Sequence, residues 1–196
     1  DLSEFAYAPE PEDEVLNVIF TSRVVEEKGV TDIVDAALML KDKYEGRVRF
    51  LLCGLLETNP KAISKAYLDE VCDGNYIKYM GHCDNIKEVL RASSVVLLPS
   101  YYREGVPKSL IEATAIGRPI ITTDWVGCRE TVDDGVNGFL IPPKCPEQLA
   151  EKLSLLLDDK DLRMRMGRAS RVKAEKEFSV DLVVEKHFAI YDELMG

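Results

Sequence analysis

No apolar run in this 196-residue chain approaches the roughly 20 residues of a membrane span, and no charged-then-apolar leader opens it. Cysteine is scarce and unpatterned. Cys53, Cys72, Cys83, Cys128 and Cys145 are odd in number and never spaced C-x-x-C. That argues against a disulfide framework and a zinc site and favours a reduced, cytoplasmic setting. The two histidines, His82 and His187, have no partner spacing for a catalytic triad or a metal site. Positive charge is in deficit, with 25 Lys and Arg against 35 Asp and Glu and a formal net charge of −10. Broad binding to nucleic acid or to an anionic membrane face is disfavoured. A small anionic ligand is not, because screening over about 8 Å lets a local basic pocket act independently of the overall sign. After the first strand a dinucleotide fold would place G-x-G-x-x-G, but Thr21 to Glu26 contains no glycine, and no P-loop occurs. Nicotinamide chemistry and standard nucleotide triphosphate hydrolysis therefore lose support. The first residue is not Met, so a fragment of a longer protein is expected.

The residues present describe a globular α/β chain. Hydrophobic residues make up 46% of it, and a chain this long buries roughly 70% of its unfolded surface. Residues 1–14 are acidic and proline-bearing and read as a linker or an arriving strand edge. Strands are expected over Val15 to Ser22, Val48 to Cys53, Ile77 to Met80, Val95 to Leu98, Ile120 to Thr123 and Gly138 to Ile141. Helices are expected from a Thr31 cap to Tyr44, from Pro60 to about Asp73, around Ile86 to Leu90, from Pro107 to Ile116, briefly over Cys128 to Val132, from Pro146 through Leu157, over Leu162 to Phe178, and over Val180 to Leu194. The strands are continuous apolar runs alternating with helices, the pattern of a parallel sheet covered on both faces. The reading is a doubly wound, Rossmann-like sheet of about six strands with extra C-terminal helices. Such sheets bind ligands beyond the carboxyl ends of their strands. Arg23, Gly54, Gly81 and Glu104 each follow a strand end, so four loops converge on one rim.

The stretch Glu104 to Glu112 (E-G-V-P-K-S-L-I-E) stands out on that rim. Gly105 permits a tight turn or close approach by a ligand. Pro107 suits the first helical position, leaving a helix start with open N–H donors and partial positive charge, a ready anion site. Carboxylates repel phosphate, so Glu104 and Glu112 fit hydroxyl groups beside the anion, the composition of a sugar nucleotide. An ordinary strand-turn-helix with two solvated glutamates fits the stretch alone equally well. Arg23 can grip two phosphate oxygens and Lys28 adds a point charge, enough to neutralise a diphosphate without a metal; the alternative is a solvated pair bonded to Glu26 or Glu27. Asp159-Lys160-Asp161 has D-x-D spacing but lies between helices, where a cap explains it better. His82 follows a strand and is within reach of a rim ligand, but an ordinary surface role is the favoured reading; His187 reads as structural. Trp125, Tyr101 and Tyr102 read as wall or packing aromatics.

Taken together, Arg23 to Gly29 (R-V-V-E-E-K-G), Leu51 to Pro60 (L-L-C-G-L-L-E-T-N-P), Leu98 to Ala115 (L-P-S-Y-Y-R-E-G-V-P-K-S-L-I-E-A-T-A), Gly117 to Thr122 (G-R-P-I-I-T) and Val136 to Pro142 (V-N-G-F-L-I-P) resemble the donor-binding C-terminal domain of retaining GT-B glycosyltransferases of family four, a group rich in bacterial surface-polysaccharide and capsule enzymes. Ser22 stands where that family usually has glycine, and Ser94 where aspartate is common. The resemblance implies that Arg23 and Lys28, with Lys108, Ser109 and Leu110, hold a donor diphosphate. Glu104, a catalytic candidate through sugar positioning, would contact the transferred sugar with Gly105, Val106 and Pro107. Glu112 would bind the ribose, and Met80 and Gly81 would lie near the base. The implied reaction moves a sugar from a nucleoside diphosphate sugar, UDP-hexose or UDP-N-acetylhexosamine, to a polysaccharide or lipid-linked acceptor, with no metal and no cofactor. On this basis residues 15–178 form the nucleotide-sugar domain. Residues 179–196 would cross toward an N-terminal acceptor domain, missing here, which would supply any attachment to the inner face of the membrane. A non-catalytic sugar-nucleotide-binding module and a GT-B epimerase or phosphorylase are the alternatives.

Overall fold

The computed structural model describes residues 2–57, 62–103, 105–180 and 184. Strands β1 (Leu16–Thr21), β2 (Val48–Cys53), β3 (Ile77–Gly81), β4 (Val95–Leu98), β5 (Ile120–Thr123) and β6 (Gly138–Ile141) form one sheet in the order β3-β2-β1-β4-β5-β6. Every pairing is parallel. The β-branched and leucine side chains of these strands cannot alternate between core and water, because helices cover both faces. β4 and β5 accordingly have no exposed position.

The helices are α1 (Val30–Tyr44), α2 (Lys65–Val71), α3 (Ile86–Arg91), α4 (Lys108–Ile116), α5 (Pro146–Asp158) and α6 (Lys160–Lys173), the last running on into a π-helical turn at Ala174–Phe178. α1 packs on α5, whereas α4 packs on α3 and α6. These two groups enclose a core that includes Phe20, Phe50, Leu97, Leu110, Ile121 and Leu153. Among the described residues no helix is long and apolar enough to cross a membrane.

Helix starts differ from expectation in three places. α1 begins at Val30 behind the left-handed Gly29, so Thr31 lies inside the first turn and caps nothing. α2 begins at Lys65, where the Ser64 hydroxyl accepts the Tyr67 amide at 3.1 Å; Ala62 instead joins a bridge to Val25, and Pro60 lies outside the described residues. Pro107 precedes α4 rather than opening it. Its ψ of 124° is extended, and its carbonyl accepts the Leu110 and Ile111 amides. The expected last helix, over residues 180–194, and His187 with it, falls almost wholly outside the described residues.

The segment read as a linker is stitched to the domain. The Ala8 amide donates to the Ile116 carbonyl. The Arg118 guanidinium, 1% exposed, donates to the carbonyls of Ala8, Pro9, Leu90 and Arg91. Arg171 reaches the Phe5 carbonyl at 3.0 Å.

Candidate functional site

The order β3-β2-β1-β4-β5-β6 reverses direction between β1 and β4, and the crevice beyond such a switch point is where open α/β sheets take ligands. A cleft of about 310 Å³ lies there. Its walls are Thr21 to Arg23 from the β1 exit, Cys53 to Leu55 from the β2 exit, His82 and Cys83 from the β3 exit with Ile86 of α3, and Lys108, Ser109 and Glu112 from the start of α4. Four chain segments far apart in sequence therefore meet on one surface.

Close packing of the loops builds the cleft. A Cβ at Gly54 would fall 1.7 Å from the Ser22 carbonyl oxygen, so only glycine lets the β1 and β2 exits touch. Gly29, at φ 78°, lies so close to Pro99 that a Cβ would fall 2.3 Å from the proline carbonyl oxygen. The β1 and β4 exit loops are also tied by one acceptor. The Glu27 carbonyl receives the amides of Tyr101 and Tyr102, at 3.0 and 3.2 Å, and the Ser100 hydroxyl at 3.2 Å.

That tie sets the Tyr102 ring beside both expected phosphate ligands. The Arg23 guanidinium carbon lies 5.7 Å and the Lys28 ammonium 5.2 Å from the ring centroid, within cation–π reach. Arg23 is half exposed and bonds Glu57 at 2.6 Å. Lys28 is 3% exposed and is not a wall of the cleft, so the structure separates the two cations into one lining residue and one beneath the rim. Sequence reasoning treated Tyr102 as a wall or packing aromatic. The only available signal was its place two residues ahead of Glu104, and the Glu27 contact that aims it joins distant parts of the chain.

On the opposite wall Lys108 is largely exposed and lies 3.4 Å from Glu112, whose side chain is 13% exposed. Burial pushes the Glu112 carboxyl above the usual range, and Lys108 partly offsets this. The Leu110 amide donates to Pro107, and its side chain is fully buried. The earliest amides of α4 therefore belong to Lys108 and Ser109. Gly105 and Val106 are exposed, and a Cβ at Gly105 would meet nothing within 4 Å. Glu104 lies outside the described residues. Met80 is exposed and Gly81 ends β3, but their neighbours His82 and Cys83 form the cleft wall there. His82 pairs with Asp84 at 3.3 Å. Trp125 is partly exposed beyond β5 and does not line the cleft, while Lys144 covers the Tyr101 ring at 4.6 Å. Asp159 caps α6 by accepting the Leu162 amide at 2.8 Å. Among the described residues no three His, Cys, Asp or Glu side chains cluster as a metal site would need.

Residues 5–173 match the family described as glycosyl transferases group 1. The chain is 31% identical over 178 residues to the N,N'-diacetylbacillosaminyl-diphospho-undecaprenol alpha-1,3-N-acetylgalactosaminyltransferase of Campylobacter jejuni, a match covering 91% of this chain and 45% of the relative. It is 28% identical to the capsular polysaccharide biosynthesis glycosyltransferase CapM of Staphylococcus aureus, over 88% of this chain and 45% of that one. Among solved structures, Anabaena HepE in complex with UDP superposes with a TM-score of 0.82 at 21% identity, over 92% of this chain and 49% of that one. The chain thus spans about half the length of the relatives it matches. A six-stranded parallel sheet, a cleft at its switch point and a family match over most of the sequence agree: this chain belongs to the glycosyl transferases group 1 family, of the GT-B type that its motifs resemble.

Proposed function

We propose that this chain is the donor-binding half of a retaining glycosyltransferase that moves a hexose or N-acetylhexosamine from UDP to a polysaccharide or lipid-linked acceptor. One observation carries the reading: Arg23 and the start of α4, with Glu112, line one cleft at the switch point. A nucleoside diphosphate sugar presents a charged diphosphate between two hydroxyl-bearing rings, and this cleft offers cations and helix amides flanked by a carboxylate. Arg23 would exchange Glu57 for the diphosphate, with Ser109 and Lys108 amides opposite. Glu112 would accept from the ribose hydroxyls, and Glu104 with Gly105 to Pro107 would hold the transferred sugar. Fixed positive charge would stabilise the departing diphosphate, as a preorganised electrostatic site does. Lys28, beneath Tyr102, would act through space and by holding that ring. The UDP in the HepE complex and the lipid-linked and capsular names of the relatives support this substrate class. The acceptor side would belong to a separate N-terminal domain, so residues 1–196 alone are expected to bind donor and transfer nothing.

A ligand-detected binding screen of UDP-glucose and UDP-N-acetylglucosamine tests the site. Arg23→Ala and Glu112→Ala should each weaken binding about 10-fold or more, the loss of a charge-assisted or buried hydrogen-bonded contact. Undiminished binding by both variants would place the donor elsewhere.

A further inference from the structure

The lining of the cleft contains two thiols that the donor reading leaves unused. Cys53 ends β2 and is 2% exposed, whereas Cys83 follows β3 and is partly exposed. The register between these strands slips at this point, with Leu52 opposite Tyr79 and Cys53 opposite Gly81. The slip draws the β3 exit in against the end of β2. The Gly81 carbonyl accepts the Gly54 amide at 2.8 Å and the Cys83 Sγ at 3.8 Å. Both cysteines consequently line the same cleft. The other three thiols are elsewhere. Cys72 lines a separate hollow with Leu68 and Tyr79, Cys128 lies buried near the Ser100 carbonyl, and Cys145 lies by Glu147.

We infer that Cys53 and Cys83 form a dithiol modification site inside the cleft, one that small-molecule disulfides convert to an intramolecular disulfide and that thereby controls entry of the nucleotide. The inference rests on the donor-binding reading of the same cleft. The partly exposed thiol starts the exchange. The Cys83 thiolate attacks the reagent disulfide, forming a mixed disulfide and releasing one thiol. Cys53 then gives up its proton and attacks the Cys83 sulfur, expelling the second thiol. Two protein thiols are oxidised as one reagent disulfide is reduced, and the two protons leave on the released thiols. Burial, followed by the Cys83 contact, pushes the Cys53 thiol up to about 12, which makes it the slower, resolving partner. The bond would fix the His82-Cys83 wall against the end of β2, where the base side of a nucleotide is expected.

The test treats the purified chain with 2-hydroxyethyl disulfide, then maps peptides and measures UDP affinity before and after. The expected result is a peptide pair joined through Cys53 and Cys83 and a loss of UDP affinity of at least about tenfold that dithiothreitol reverses. UDP present during treatment should slow the linkage. In Cys83→Ala the joined pair should vanish, and the ratio of UDP affinities before and after treatment should fall to about one, whatever that variant's own affinity. Absence of the Cys53–Cys83 peptide, or its formation with UDP affinity unchanged, overturns the inference. Failure of the reduced chain to bind UDP at all instead overturns the donor reading, since the peptide map is read independently.

Discussion

Asp32 sits in the first turn of α1 with 8% of its surface exposed, and its Oδ2 has no hydrogen-bond partner. Burial and then the neighbouring Asp35 push its carboxyl from 3.8 to about 6; Glu147 and Glu26 add to the rise, and Lys144 opposes it. A carboxyl raised on folding contributes its full stability below the unfolded value and loses it as the pH climbs through the folded one. Ionised Asp32 therefore costs roughly 3 kcal/mol near neutral pH. Asp32→Asn should stabilise the protein in urea denaturation by about 1–3 kcal/mol near pH 7.5, with the gain fading toward pH 4. Equal effects at both pH values would show that the carboxylate is not the cause. Gly105 behaves in the opposite way, since packing of the protein does not require a glycine there. Gly105→Ala should leave the melting temperature unchanged while weakening UDP-sugar binding, and a fall in both would mean the glycine serves the fold rather than the ligand. Arg118 was legible only as part of a motif. Its burial and its four carbonyl partners on two distant segments come from tertiary packing, which holds the acidic N-terminal segment to the ends of α3 and β5.

Helix ends follow side-chain chemistry when a polar cap is available. Asp159 caps α6, and Asp161 sits exposed in the first turn. Asp159→Ala should cost about 1 kcal/mol and Asp161→Ala a few tenths, with added magnesium changing neither. A metal-dependent difference would revive the D-x-D reading. The strands Val48–Cys53, Val95–Leu98, Ile120–Thr123 and Gly138–Ile141 were readable because β-branched and leucine runs bounded by glycine, proline and serine have few other fates. Elements starting near Pro60 and Pro107 were less so. Proline fixes φ but leaves ψ free, so it marks a bend without saying on which side the helix begins. The β2–α2 connection bridges Leu56 to Val24 and Ala62 to Val25, a tertiary choice that no local pattern announces.

At the scale of the molecule the −10 net charge coexists with a cleft that two cations, Arg23 and Lys108, line near the exits of β1 and β4. Raising salt from about 50 to 500 mM should weaken UDP binding several-fold while leaving uridine binding nearly unchanged, because only the diphosphate draws on screened charge. Parallel loss for both ligands would remove the diphosphate clamp. The strand-end positions of Arg23, Gly54 and Gly81 were legible from alternating strands and helices, since a parallel sheet sends every loop of that kind to one rim. The aiming of Tyr102 by the Glu27 carbonyl, and the withdrawal of Lys28 from the surface, were not, because both depend on two loops meeting in space. That meeting also sets the order in which the site can come into being. Val18 pairs with Phe50 on one side and Val95 on the other, so the β1–β2–β3 wall closes through shorter chain loops, whereas docking β4 closes one of about 80 residues. A refolding chain would gain its affinity for nucleotide in that late step, and the appearance of UDP binding would time the closure of the longest loop in the sheet.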